Sequence, residues 1–363
     1  MTTIFLLLFG LSLIILLVNL LFALLIPNLI DYVSGDDDPF KLSVVVSFKN
    51  EEDNLGNLIQ SLIEQDFPKD KYEVILIDDN STDNSFQRAS QLSKGKSNYM
   101  VVKADDKKYP GKKGALELGI SKANNPYILV TDADCLPQKN WLAAYSKKFR
   151  EGYDLLFGFA PFVQTKNFMS KMACFENLRS TILTFVSARV GLPYSAAARN
   201  IGFKKSSFEK IGGFSNTLET SSGDDDLLIR EAVKNNWQIG IVNIKDSLVF
   251  TNSKETLPEY LNQKARHTKT SHHYLLKNQM LLGLWHSFNI ILILSVFLIP
   301  FNLLIAIPFL IKIISDSILV RSIQKKLNYR FTSFNIPLLQ VLYEVFLVIN
   351  FLFSLKKNIV WKV

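Results

Sequence analysis

Cysteine is nearly absent from this chain of 363 residues, which carries only Cys135 and Cys174, with no Cys-x-x-Cys or Cys/His spacing around either. Neither a disulfide framework nor a zinc site is suggested, and a reduced compartment is the simpler setting for the central region. No Gly-x-x-x-x-Gly-Lys phosphate loop occurs, and no basic run is interleaved with aromatics. The formal charge of +8 therefore speaks for anionic lipid or phosphate rather than nucleic acid. Lys and Arg are also missing ahead of the first apolar run, and no convincing small-x-small cleavage pattern follows it. That run reads as a retained anchor, not a cleaved signal.

What is plentiful is apolar residue, 48% of the chain, concentrated at the two ends. From Ile4 to Pro27 the only polar side chains are Ser12 and Asn19, enough length to cross a hydrocarbon core of about 30 Å. Phe288 to Val320 is too long for one ordinary span. Broken by Pro300, Asn302, Pro308, Lys312 and Ser315-Asp316-Ser317, it predicts two short helices or a Pro-broken hairpin. Pro337 to Leu355, with Gln340, Glu344 and Asn350, either spans or lies in the interface. The basic loop of Arg321, Lys325, Lys326 and Arg330 and the tail of Lys356, Lys357 and Lys362 would both prefer the cytoplasmic side, which a single span between them forbids.

Between the ends, an acidic linker (Ser34 to Pro39) precedes short β-branched runs at Leu42 to Ser47 and Tyr72 to Ile77, separated by the amphipathic segment Leu55 to Glu64. Met100 to Val102 and Tyr127 to Val130 continue the alternation, with a helix predicted over Gly114 to Lys122. This pattern predicts an α/β fold with a parallel, doubly wound sheet, whose ligands collect at the carboxyl ends of the strands.

The residues just after those strands are polar. Thr131-Asp132-Ala133-Asp134-Cys135 places two carboxylates two positions apart, which in a strand face the same way and can hold a hard divalent cation beside a diphosphate. Asp79 can accept from a pyrimidine N3-H, and Ser81 and Thr82 can cap the next helix. A capped turn over Asp78 to Asp83 is the plainer alternative. Pro110-Gly111-Lys112-Lys113-Gly114 opens a helix with exposed amides and two ammonium groups, a diphosphate cradle or else a solvated basic turn. His272 and His273 are adjacent on a helix, point in different directions, and suggest no metal site.

Taken in order, Ser43 to Glu52, Asp78 to Asp83, Gly111 to Leu116 and Asp132-Ala133-Asp134 resemble glycosyltransferase family 2, inverting enzymes with a GT-A fold, over roughly Leu42 to Tyr274. The resemblance implies that Ser47, Glu51 and Asp79 surround the uracil and ribose of a UDP-sugar and that Lys112 faces its diphosphate. It places Asp132 near the ribose and metal, with Asp134 as the direct ligand of Mg²⁺ or Mn²⁺. Ala198-Arg199-Asn200-Ile201-Gly202-Phe203-Lys204 and Ile211-Gly212-Gly213-Phe214 look like the region that closes over the donor sugar. Ser221-Ser222-Gly223-Asp224-Asp225-Asp226 is similar to the acidic motif that carries the general base. Asp225 is the expected base, Asp224 the competing alignment, and Asp226 a helix-start residue. Gln263-Lys264-Ala265-Arg266-His267 resembles a Gln-x-x-Arg-Trp motif with His267 in place of Trp. Arg266 then approaches the diphosphate, unless the segment is simply a solvated juxtamembrane helix.

The expected layout is an anchor over 1–27, a linker over 28–41, a Rossmann-like GT-A domain over 42–275, and C-terminal membrane helices with a basic tail over 284–363. The resemblance implies a membrane-bound transferase, on the cytoplasmic face of a bacterial inner membrane, moving a hexose or N-acetylhexosamine to a lipid-linked or glycan acceptor. A processive polysaccharide synthase is a second expectation, weakened by the missing Trp. A non-catalytic nucleotide-binding scaffold is a third, opposed by metal, diphosphate and base candidates occurring together.

Overall fold

The computed structural model describes residues 1–32 and 38–355. Most of the predicted acidic linker and the tail lysines Lys356, Lys357 and Lys362 lie outside the described residues. In chain order the principal elements are α1 (Thr2–Leu25), β1 (Leu42–Phe48), α2 (Glu52–Ile63), β2 (Tyr72–Asp78), α3 (Ser85–Ser93), β3 (Tyr99–Lys103), α4 (Gly111–Lys122) and β4 (Tyr127–Val130). They continue with β5 (Cys135–Pro137), α5 (Trp141–Phe149), β6 (Leu155–Gly158), α6 (Phe168–Arg189), β7 (Ile201–Lys204), α7 (Lys205–Lys210), α8 (Asp226–Lys234), β8 (Ile239–Val242) and β9 (Val249–Thr251). The last are α9 (Leu257–Ser271), α10 (Leu276–Leu294), α11 (Ala306–Ile323) and α12 (Asn335–Ser354). They fall into two compact units.

The α/β unit takes residues 28–163 and 193–252. Its main sheet has seven strands in the order β3-β2-β1-β4-β7-β6-β8. The first four run parallel, as the sequence pattern predicts. The doubly wound expectation stops at β4, because β7 lies antiparallel to β4 and β6 antiparallel to β7, with β8 parallel to β6. The sheet is therefore mixed. Every residue of β1 is buried, which suits a strand covered on both faces. Leu55, Leu58, Ile59 and Leu62 of α2 recur at helical spacing and all enter the core. A small second sheet pairs β5 with β9 and anchors the chain just beyond the acidic pair.

The apolar unit takes residues 1–27, 164–192 and the described chain from 253 onward. Four helical stretches in it are long and apolar enough to cross a membrane: Thr2–Leu25, Leu276–Phe301, Leu303–Leu327 and Asn335–Ser354. The predicted break in the second apolar region falls at Asn302, whose side chain accepts from Leu304 N at 3.1 Å and restarts the chain as a new helical segment. The unit buries a polar hub. Asp316 accepts from Asn19 Nδ2 at 2.9 Å, pairs with Lys312 one turn earlier, and lies 3.5 Å from Arg179 Nη1. Lys312 and Asp316 are both fully buried, so each charge depends on the other for solvation.

Candidate active site

The strand ends of the α/β unit carry the polar residues. Phe48 and Asp78 are register partners, so the segments after β1 and β2 leave the sheet side by side. They are sewn together: Asn50 N donates to Ser81 Oγ at 3.0 Å, Thr82 N to Asn50 Oδ1 at 2.8 Å, and Glu51 N to Ser85 Oγ at 2.7 Å. Ser81 and Thr82 thus tie one loop to the other, and Asn84 takes the N-cap position of α3 instead of them. Asn50 and Asn80 have positive φ, an amide-tolerated conformation that lets both loops turn sharply. Ser47, near the end of β1, is 9% exposed. Asp79 is buried and paired with Lys107.

The acidic pair does not sit in a strand. Asp132 to Asp134 form a turn between β4 and β5, and the turn rather than a pleat brings ligand atoms of Asp132, Asp134 and Cys135 within 4.8 Å of one another. The Asp134 carboxyl is raised by crowding from neighbouring atoms and by the charges of Asp132 and Glu51, and partly relieved by the Arg199 guanidinium. Glu51, Asp132, Asp134 and Arg199 therefore share one electrostatic neighbourhood. Burial pushes the Cys135 thiol well up, aided by Asp132 and Asp134, so it stays protonated and donates weakly to Asp134 Oδ1 at 3.5 Å. The two carboxylates are hard oxygen donors that repel each other, and they fit a Mg²⁺ or Mn²⁺ ion, whereas the protonated thiol does not.

Helix α4 supplies the cation. Its first residue, Gly111, has φ of 66°, and a Cβ on Gly114 would lie 1.7 Å from Tyr109 O, so the Gly-Lys-Lys-Gly turn tolerates no other residue at the second glycine. Lys112 Nζ lies 2.7 Å from Asp132 Oδ1 and 2.7 Å from Asp224 Oδ2. Burial would lower its pKa, but the two carboxylates outweigh that and hold it charged. The metal motif and the second acidic motif are thus bridged by one ammonium.

The acidic triplet opens α8, and its members differ. Against the burial that raises it, Asp224 is held below the usual carboxylate range by Lys112. Asp225 is the N-cap of α8: its Oδ1 accepts from Asp226 N at 2.7 Å and its Oδ2 from Ala198 N at 2.8 Å. Burial raises the Asp225 carboxyl well above its ordinary value, and the charges of Asp226 and Asp224 add to this. Asp226 begins the helix as expected and accepts from Ser195 Oγ at 2.6 Å.

Arg199 and Asn200 precede β7, whose first residue is the register partner of Val130 at the end of β4. Arg199 donates to Ala160 O at 2.5 Å and stacks over Phe162 at 4.8 Å. Asn200 faces the core. Its Oδ1 accepts from Trp141 Nε1 at 2.9 Å and Tyr145 OH at 2.8 Å, and its Nδ2 donates to Phe159 O at 2.7 Å. The strands position Asn200 as a buried brace behind Arg199. Arg266 lies on α9 of the apolar unit.

Lys107 and Glu117 are polar participants that motif reading passed over, and Lys113 is one that it took only as half of a lysine pair. Lys113 Nζ donates to Thr217 O and, at 3.1 Å, to Thr220 O, while Glu117 Oε2 accepts from Phe214 N at 2.9 Å. The only sequence signal for Lys113 was its place beside Lys112 in a lysine pair.

The chain is similar to known glycosyltransferases. The profile described as Glycosyl transferase family 2 matches residues 43–212. Glycosyltransferase AglE of Haloferax volcanii is 31% identical over 104 residues, which are 29% of this chain and 33% of that protein. Beta-monoglucosyldiacylglycerol synthase of Synechocystis is 33% identical over 102 residues, 28% of this chain and 21% of that protein. The matched segment thus spans a third or less of either relative. Among solved structures, mannosyltransferase PcManGT from Pyrobaculum calidifontis, determined with GDP-Man and Mn²⁺, superposes with a TM-score of 0.55 at 15% identity, covering 96% of each chain. The last likeness agrees with the GT-A fold, while the profile match over residues 43–212 and the named relatives support a family 2 glycosyltransferase.

Proposed function

We propose that this protein is a membrane-bound inverting glycosyltransferase that moves a hexose or N-acetylhexosamine from a UDP-sugar to a lipid-linked or lipid-proximal hydroxyl. The observation that carries the reading is the Lys112 bridge, in which one ammonium group pairs with Asp132 of the first acidic motif and Asp224 of the second. Four apolar helices long enough to span a bilayer, and a relative named for diacylglycerol glycosylation, support a lipid acceptor at the membrane surface, with the catalytic unit on the cytoplasmic face.

In this reading Asp79, Ser47 and Glu51 hold the nucleoside, and Arg199 lies beside the donor sugar, braced by Asn200. Arg266 is a further contact to the diphosphate. Asp134 and Asp132 would hold a divalent cation, which supplies Lewis-acid stabilisation of the departing nucleoside diphosphate. Lys112 turns from its carboxylate partners toward the diphosphate oxygens as negative charge develops on them. The acceptor hydroxyl attacks the anomeric carbon on the face opposite the leaving group, and its proton passes to Asp225. Asp225 suits this role better than Asp224. Its raised pKa makes it the stronger proton acceptor, while Asp224 is kept ionised by its ion pair and serves Lys112.

The test is nucleotide release by purified protein in nanodiscs, with a panel of sugar nucleotides that includes UDP-sugars and GDP-mannose, with and without Mn²⁺, and with lipid extract. Metal-dependent release of UDP from one donor, rising with added lipid, supports the reading. Release confined to GDP-mannose would replace the donor class, and no release from any donor under all conditions would overturn the enzyme.

A further inference from the structure

Lys113 is the least expected residue in the α/β unit: a lysine only 2% exposed, on the first turn of a helix, beside a second lysine that already serves the acidic motifs. Burying an ammonium costs several kcal/mol unless its donors are satisfied, so a methionine of similar length would be the cheaper occupant if packing alone were required. Its Nζ is satisfied in one particular way, by the carbonyls of Thr217 and Thr220. Those carbonyls belong to the segment that runs from Gly213, with φ of 63°, to Gly223, with φ of 81°, and ends on Asp224 and Asp225.

Other tethers hold the same segment. Glu117, one helical turn beyond Lys113, accepts from Phe214 N at 2.9 Å and lies so close to Gly213 that a Cβ there would meet its Oε2 at 2.8 Å. From α8, Arg230 donates to Asn216 O at 2.6 Å and pairs with Glu219 at 2.8 Å. Glu117 fixes the start of the segment, Lys112 its end through Asp224, and Lys113 its middle. Helix α4 therefore grips the base-bearing segment along its whole length while its N-terminus faces the metal motif.

We propose that Lys113 is a positioning residue for sugar transfer: by holding the Thr217 and Thr220 carbonyls it sets the height of the following acidic triplet above Lys112 and the metal motif. It contacts no substrate. This rests on the transferase reading, and it adds that the donor-side helix and the base are one mechanical piece, so that base placement depends on a residue outside the motifs. A displacement of about 1 Å at a reacting group costs on the order of 100-fold in rate.

The test compares wild type with Lys113→Met and Lys113→Arg in nanodiscs. One readout is steady-state transfer, the second is UDP affinity by calorimetry, and the third is amide hydrogen exchange across residues 214–224. The expected result for Lys113→Met is a kcat lower by roughly 10- to 100-fold, UDP affinity within about threefold of wild type, and faster exchange confined to that segment. Lys113→Arg, which can still donate to both carbonyls, recovers part of the kcat. Unchanged exchange in a folded Lys113→Met protein overturns the tether whether or not a donor has been found. Faster exchange with unchanged kcat overturns the positioning role, and loss of UDP affinity in step with activity would make Lys113 a donor-binding group instead. Absence of transfer by wild type itself counts against the transferase reading, and the exchange result then decides the tether alone.

Discussion

Lys112 Nζ and Asp224 Oδ2 stand 2.7 Å apart, joining a helix N-terminus to an acidic segment more than a hundred residues further along the chain. The same ammonium holds Asp132, so a single side chain ties the acidic pair after β4 to the acidic segment that opens α8. Its loss leaves Asp132 and Asp224 without their shared counter-charge and, in the proposed mechanism, the diphosphate without this lysine. Lys112→Met is expected to lower kcat/KM by about 100- to 1,000-fold with the protein still folded, measured as initial rates against donor concentration. A change within twofold would remove Lys112 from the site.

As the proposed base, the Asp225 carboxyl must be ionised to accept a proton. Burial and the Asp226 and Asp224 charges raise its pKa, so the fraction of active base keeps growing at pH values where an ordinary carboxylate is already fully ionised. Transfer rate should therefore rise with pH through a limb displaced above the usual carboxylate range, and kcat/KM profiles between pH 4 and 9 would reveal it. A profile flat down to ordinary carboxylate values would contradict a raised base.

Asp134 is exposed and crowded by like charge, the state of a carboxylate that gains from a cation. Asp134→Asn should abolish stimulation by Mn²⁺ or Mg²⁺, and chelation of wild type should reproduce its residual rate. Stimulation that survives the substitution would place the cation elsewhere.

Asn200 makes its hydrogen bonds to Trp141, Tyr145 and Phe159, all inside the core. Asn200→Ala is expected to destabilise the protein by about 2 to 3 kcal/mol through the donors and acceptors it strands, while leaving nucleotide affinity intact below the melting transition. Thermal unfolding and nucleotide titration on the same sample separate the two effects. Weaker binding without loss of stability would return Asn200 to the donor.

In the apolar unit, Asp316 faces Lys312, Arg179 and Asn19. Asp316→Ala leaves two buried cations without their counter-charge and should cost about 3 to 5 kcal/mol. A fall in the detergent unfolding midpoint would register it, whereas an unchanged midpoint would mean that the hub is dispensable.

Strands β1 to β4 and helix α2 were legible because β-branched runs and helical spacing of Leu55, Leu58, Ile59 and Leu62 are local signals. The reversal of β7 against β4 was not, since short strands such as Ile201–Lys204 carry no mark of their direction. The motifs picked out Lys112, Asp132, Asp134 and Asp225 because the proposed chemistry calls for those residue types. They could not show that Lys113 turns away to the Thr217 and Thr220 carbonyls, because the side chains of adjacent helical residues diverge and only packing decides where each goes. Nor could they show Asn200 turned inward, a fate set by Trp141 and Tyr145 on a helix about 55 residues earlier.

The most direct test of the account is transfer of labelled sugar to lipid by wild type and by Asp225→Asn, in nanodiscs with Mn²⁺ and the donor identified by nucleotide release. Wild type is expected to form a glycolipid, and folded Asp225→Asn to bind nucleotide normally yet transfer about 100- to 10,000-fold more slowly. Transfer by Asp225→Asn at the wild-type rate would contradict the assignment of the base and, with it, the proposed mechanism.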